Sequence, residues 1–177
     1  MIDIGALAPN TGPPEHRKNP RSRTRIAGLR EARLLDVRPP FIPQRNVRGS
    51  RRAGLVYEAQ VAKALTARLG SDRVIHGPWI EYEDNRGRGW CQPDLIVLPS
   101  DDDPLIIGEC KLTATQAAER KLRWIYLPCV EMIWPGHEYR LVQICRSLSR
   151  DFDDLLIEDL NDTRNGPDFA TWRFRGC

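Results

Sequence analysis

The chain has 177 residues, enough for one globular domain with its own core and too few for two generous ones. At 41% hydrophobic and 29% charged residues it has no run near the roughly 20 apolar residues of a membrane span, and no basic stretch leads an apolar one at the N-terminus. A membrane protein and a secreted one are therefore disfavoured, and the expected location is the cytoplasm.

Charge divides the chain: residues 1–52 hold twelve Lys or Arg against four acids, and residues 53–177 hold fifteen against twenty. Within the first part Pro9, Pro13, Pro14, Pro20, Pro39, Pro40 and Pro43 interrupt any helical period. Residues 1–50 are expected to be a basic arm, extended or disordered, with at most a marginal helix over 26–35. Leu55, Ala59, Ala62, Leu65 and Leu69 then recur at spacings of three and four, which predicts an amphipathic helix over 52–69 closed by Gly70. Strands are expected over 73–82, broken by Gly77-Pro78, over 94–98 and over 105–111. Polar turns at 85–89 and 99–104 would join them as an antiparallel meander.

Thr113 or Thr115 can cap a second helix that runs to about Tyr126 and is ended by Pro128. Strands over 130–134 and 139–145 follow. Residues 149–177 form an acidic tail, with DFDDLLIEDLND at 151–162 and a short strand at 169–174. The order of helix, three strands, helix and further strands predicts an α+β domain over 51–148.

Glu109 and Lys111 stand two apart in one predicted strand, so both side chains leave the same face while Cys110 leaves the other. Asp94 opens the preceding strand after Pro93, and antiparallel pairing can set it opposite Glu109. Two carboxylates about 5 Å apart repel by roughly 3 kcal/mol at an effective dielectric of 20. A divalent cation removes that cost, and magnesium needs only a few carboxylate oxygens and its own waters. A bound metal also acidifies its water and stabilises charge on a phosphate under attack, with Lys111 placed to hold or deprotonate that water. Glu58 falls three residues after Leu55 and four before Ala62, on the predicted apolar stripe, where a carboxylate is costly unless paired or metal-bound.

E-x-K occurs a second time at Glu119 and Lys121, but in a predicted helix, where residues two apart diverge; that pair is expected to be a solvated one. Pro-Asp also recurs, at Pro167-Asp168, with no E-x-K after it, and is expected to be a turn.

The residues YE (Tyr57, Glu58), PD (Pro93, Asp94) and ECK (109–111) resemble the signature of the PD-(D/E)XK nuclease superfamily, over about residues 51–148. The resemblance implies a restriction-endonuclease-like core with a central mixed sheet flanked by helices. It also implies hydrolysis of DNA phosphodiesters with Mg2+, for which Mn2+ would substitute. In such a site Asp94, Glu109 and the backbone carbonyl of Cys110 bind the metal, Lys111 acts on the nucleophilic water, and Glu58 is the accessory acid and a further metal ligand. Some branches carry Gln and Tyr four apart on the second helix; here Arg120 stands four after Gln116. Holliday-junction resolvases, restriction enzymes and phage nucleases share the core. The expected substrate is structured or double-stranded DNA in recombination, repair or phage DNA processing, cut by an endonuclease acting as a homodimer. An exonuclease, or a catalytically inactive DNA-binding or assembly protein with the same fold, is the alternative.

Arginines of the arm, among them Arg21, Arg23 and Arg25, suit phosphate contact. Gln116, Arg120, Lys121 and Arg123 could touch DNA from the second helix, and the acidic tail could meet a protein partner, block the DNA groove or complete the sheet. His16, His76 and His137 show no ligand spacing. Asp101, Asp102 and Asp103 lack a calcium-loop pattern and read as a polar turn. Five cysteines without a CxxC pair are expected to be reduced and mostly buried.

Overall fold

A computed structural model describes residues 24–42, 47–100, 103–147 and 168–174. The elements run β1 (Glu31–Leu35), α1 (Ser50–Leu69), β2 (Val74–His76), β3 (Trp79–Asp84), β4 (Gly87–Cys91), β5 (Leu95–Val97), β6 (Leu105–Thr113), α2 (Gln116–Lys121), a π-helical turn (Leu122–Tyr126), α3 (Leu127–Ile133), β7 (Tyr139–Ser147) and β8 (Phe169–Arg173). Five strands form a mixed sheet in the order β2-β5-β6-β7-β8, antiparallel from β2 to β6 and parallel from β6 to β8. A second, three-stranded antiparallel sheet has the order β1-β3-β4. The chain is thus α+β with a mixed sheet and helices against it.

Alternation along β5 to β7 divides the core in two. Leu95, Val97, Cys110, Val142 and Ile144 meet Tyr57 and Val61 of α1 on one face. Ile96, Leu105, Ile107 and Leu141 meet Leu122, Tyr126, Cys129 and Val130 on the other, where Ile80, Tyr82 and Cys91 of the smaller sheet close the layer. Burial of each such aliphatic side chain contributes about 1.5–3 kcal/mol. β5 and the middle of β7 are buried on both faces, because helices and the smaller sheet cover the two sides of the main sheet.

Several expectations need correction. The stripe of α1 is rotated: Tyr57, Val61 and Ala62 are buried and Leu65 and Leu69 join them, whereas Leu55 and Val56 are about half exposed. Tyr57 fixes this rotation, since its hydroxyl donates to the carbonyl of Phe174 at 2.9 Å, beyond β8. The 73–82 segment is two strands in different sheets. Gly77, at a positive φ of 58°, makes the break between them, and Pro78 follows. The expected turn at 85–89 shrinks to Asn85-Arg86, because Gly87, Arg88 and Gly89 belong to β4 and pair with Asp84, Glu83 and Tyr82. β3 and β4 therefore leave the main sheet as a hairpin, and the meander is interrupted.

Residues 130–133 are helix and not strand, with Trp134 as the cap. Pro128 does not end the second helix; it lies in the first turn of α3, where a missing N–H costs little. The amide of Leu127 reaches back to the carbonyl of Leu122, closing the π turn. An amide at 128 would bond the Trp124 carbonyl, but proline has none to give. The Ile26 N–H takes that acceptor instead, at 2.9 Å.

This contact draws part of the expected arm into the fold. Ile26 is buried, and residues 31–35 form β1 rather than a helix. Likewise β8 uses part of the expected acidic tail to complete the main sheet. The acidic segment 151–162 lies outside the described residues.

Candidate active site

Glu109 sits near the middle of β6, on the face that carries Ile107 and meets α2 and the π turn. β5 pairs with β6 through Leu95 opposite Gly108, so Asp94, one residue ahead of β5, falls opposite Glu109 when the register is continued. The Asp94 carboxylate accepts the Cys110 N–H at 2.6 Å. A Cβ on Gly108 would lie 2.6 Å from the Leu95 side chain, which makes glycine the residue that permits this close pairing.

The Glu109 side chain is 1% exposed and bound by two ammonium groups. Lys111 Nζ donates to Oε1 at 2.6 Å. Lys121 Nζ lies 2.9 Å from Oε1 and 3.2 Å from Oε2. A carboxylate this deep is retained only with partners, and loss of one costs about 3–5 kcal/mol. Burial works against the Lys111 charge, but the Glu109 carboxylate outweighs it and the ammonium is held above its ordinary range. Burial first, then the charges of Glu109 and Glu58, push the Asp94 carboxyl up from 3.8 to about 7, against the opposing Cys110 N–H and Lys111.

Lys121 corrects the expectation of a solvated Glu119–Lys121 pair. Glu119 pairs with Arg123 at 3.0 Å, and Lys121 turns inward to Glu109. The π turn that follows makes this geometry workable. Its wider winding brings residues five apart near one face, and Lys121 Nζ lies 4.8 Å from the ring centroid of Tyr126. Tyr126 is buried, and its hydroxyl donates to the Gln92 carbonyl at 2.6 Å. Burial, followed by Glu109 and Asp94, holds that phenol well above its usual range.

Gln143 was also missed. It neighbours Glu109 across the parallel β6–β7 pair and is 1% exposed, with its Oε1 accepting the Thr115 N–H at 2.7 Å. The available signal was one amide inside the apolar run LVQIC.

Glu58 is at the rim and not in the core; its side chain is 17% exposed and lies 3.0 Å from His76 Nε2. It contributes negative charge at Asp94. Among the described residues no group of three His, Cys, Asp or Glu side chains is gathered closely enough to hold a metal. Asp94 and Glu109 are the carboxylates that could hold magnesium, which takes one or two carboxylates and keeps its waters. The Cys110 carbonyl belongs to the same stretch of β6.

The DNA-contact candidates scatter. Arg21 and Arg23 lie outside the described residues. Arg25 stacks over Trp124 at 4.5 Å, and Arg123 is bound to Glu119 and Asp168. Gln116 and Arg120 are exposed on α2. Cys91, Cys110, Cys129 and Cys145 are buried free thiols, while Cys177 lies outside the described residues. No helix among the described residues is long and apolar enough to cross a membrane. In comparison with known proteins, no family model, no curated protein and no solved structure matches the chain.

Proposed function

We propose that the chain is a metal-dependent deoxyribonuclease of PD-(D/E)XK type, an endonuclease on structured or double-stranded DNA. The observation that carries the proposal is the pairing of Asp94 with the start of the Glu109-Cys110-Lys111 stretch, with Lys111 on Glu109 and the Asp94 carboxyl driven up to about 7. The order of α1, the β2-β5-β6 antiparallel strands, α2 and the parallel strand β7 supports the same reading.

Asp94, Glu109 and the Cys110 carbonyl would hold Mg2+ or Mn2+. When bound, the ion supplies positive charge to the phosphate and acidifies an attacking water. Lys111, held protonated by Glu109, acts as a hydrogen-bond donor that orients the attacking water or a phosphate oxygen, and not as the base. Gln143 fixes the Thr115 amide at the start of α2, so the helix that bears Lys121 enters at a set position beside Glu109. Glu58 adds negative charge at the rim, where His76 steadies it.

A second reading, an inactive DNA-binding or assembly protein, is favoured by one feature: both Glu109 oxygens are already engaged by lysines. Supercoiled, linear and branched DNA incubated with the purified chain in magnesium, manganese or EDTA separates the two. Cleavage that needs the metal and falls roughly 100-fold or more in Lys111→Ala is expected. Absence of cleavage on every substrate, with either ion, selects the binding protein.

A further inference from the structure

Lys121 occupies both oxygens of a buried carboxylate, at 2.9 Å and 3.2 Å, which is the place a cation bound to Glu109 would take. Lys111 touches one oxygen only and is tied to it through the short arc of its own strand. The Lys121 side chain is 41% exposed and flexible over four methylenes, so its ammonium can turn outward without entering apolar surroundings. In this position the ammonium also lies 4.8 Å from the centroid of the Tyr126 ring. Only four lysines exist in the chain, and two of them converge on this one acid.

We infer that Lys121 is the site's own counter-cation: it neutralises Glu109 while no divalent ion is present and releases that carboxylate when one binds. This rests on the proposed metal site and adds to it a residue that sets metal affinity from outside the E-x-K motif. Because the ion must displace an ammonium, affinity is lower than Asp94 and Glu109 alone would give, and the bound form presents a freed ammonium beside the phosphate. Lys121 is in this sense a positioning and competing residue.

Titration of Mn2+ into the metal-free chain by calorimetry tests this without reference to activity. Lys121→Met should bind about tenfold more tightly than wild type, the size of one charged hydrogen bond lost from the empty state. Lys121→Gln should tighten binding in the same direction, Lys121→Arg should stay near wild type, and Asp94→Asn should lose binding. The metal-free Lys121→Met chain should also melt lower, with a larger rise on adding Mn2+ than wild type shows. A lysine with only a structural role would leave affinity unchanged or weaken it. Equal or weaker binding by both Lys121→Met and Lys121→Gln, with Asp94→Asn still abolishing it, overturns the exchange and leaves the metal site standing. Binding by none of these chains overturns both.

Discussion

Asp94 ties the chemistry of the site to the stability of the fold. Its carboxyl titrates near 7 in the folded chain against 3.8 ordinarily, so the folded state binds that proton more tightly than the unfolded one. The stabilising contribution is complete below pH 3.8 and is lost as pH rises to about 7 and beyond. Metal-free wild type should therefore lose about 1–3 kcal/mol through this group between pH 5 and pH 8, after allowance for solvent screening. Asp94→Asn keeps an acceptor for the Cys110 N–H and should be the more stable chain at pH 8, with a flatter profile. Urea unfolding of both proteins at the two pH values measures the difference, and equal slopes would remove the burial argument. At this scale the shared face of Glu109 and Lys111 was legible from strand period, and the approach of Asp94 from antiparallel pairing of the neighbouring strands. Lys121 was not, since an α-helical period points it away from its Glu119 partner without saying what it meets. Glu58 was assigned to an apolar stripe that proved to be rotated.

At the scale of elements, β6 and the broken helix set the geometry. Gly108 admits Leu95 across the β5–β6 pair, and the pairing is what brings Asp94 to Cys110. Gly108→Val should cost about 1–3 kcal/mol from overpacking and weaken Mn2+ binding at the same time, whereas a valine at an unrelated core site should affect stability alone. Thermal melts and Mn2+ titration on the same protein read both. Strand β4 escaped notice because Gly87, Arg88 and Gly89 carry turn chemistry; the twist of a two-residue hairpin and the cover of Tyr82 over Gly89 make them a strand. The helical character of 130–133 was hidden by Pro128, whose effect depends on a π turn that local propensity does not report. The same proline frees the Trp124 carbonyl for Ile26, so residues 24–36 should matter to the fold although they read as arm. A chain lacking residues 1–36 should melt several degrees below one lacking 1–23, about what the loss of 1–2 kcal/mol gives a domain of this size; equal melting temperatures would show that β1 adds nothing.

Over the whole molecule, a mixed sheet carries α1 on one face and α2 to α3 on the other, and the candidate site lies where β5 and β6 meet the start of the second helical layer. Helix α1 and strands β5, β6 and β7 could be read in advance, because hydrophobic period and turn residues agree there. The second sheet could not, since pairing of β1 with β3 joins residues about fifty apart and leaves no local trace. Charge is also redistributed by folding: Arg30 and Arg33 of the supposed arm are spent on Glu83 and Glu81. DNA contact, as proposed, therefore falls to the half-exposed Lys121 and the exposed Arg120 of α2, and to arginines before residue 24. The central claim is that Asp94 and Glu109 together hold a catalytic divalent ion. Anomalous diffraction from a crystal soaked in Mn2+ tests it most directly. A single peak at roughly 2.1 Å from an oxygen of each carboxylate is the predicted result, and a fully occupied Lys121–Glu109 pair with no peak between Asp94 and Glu109 would contradict it.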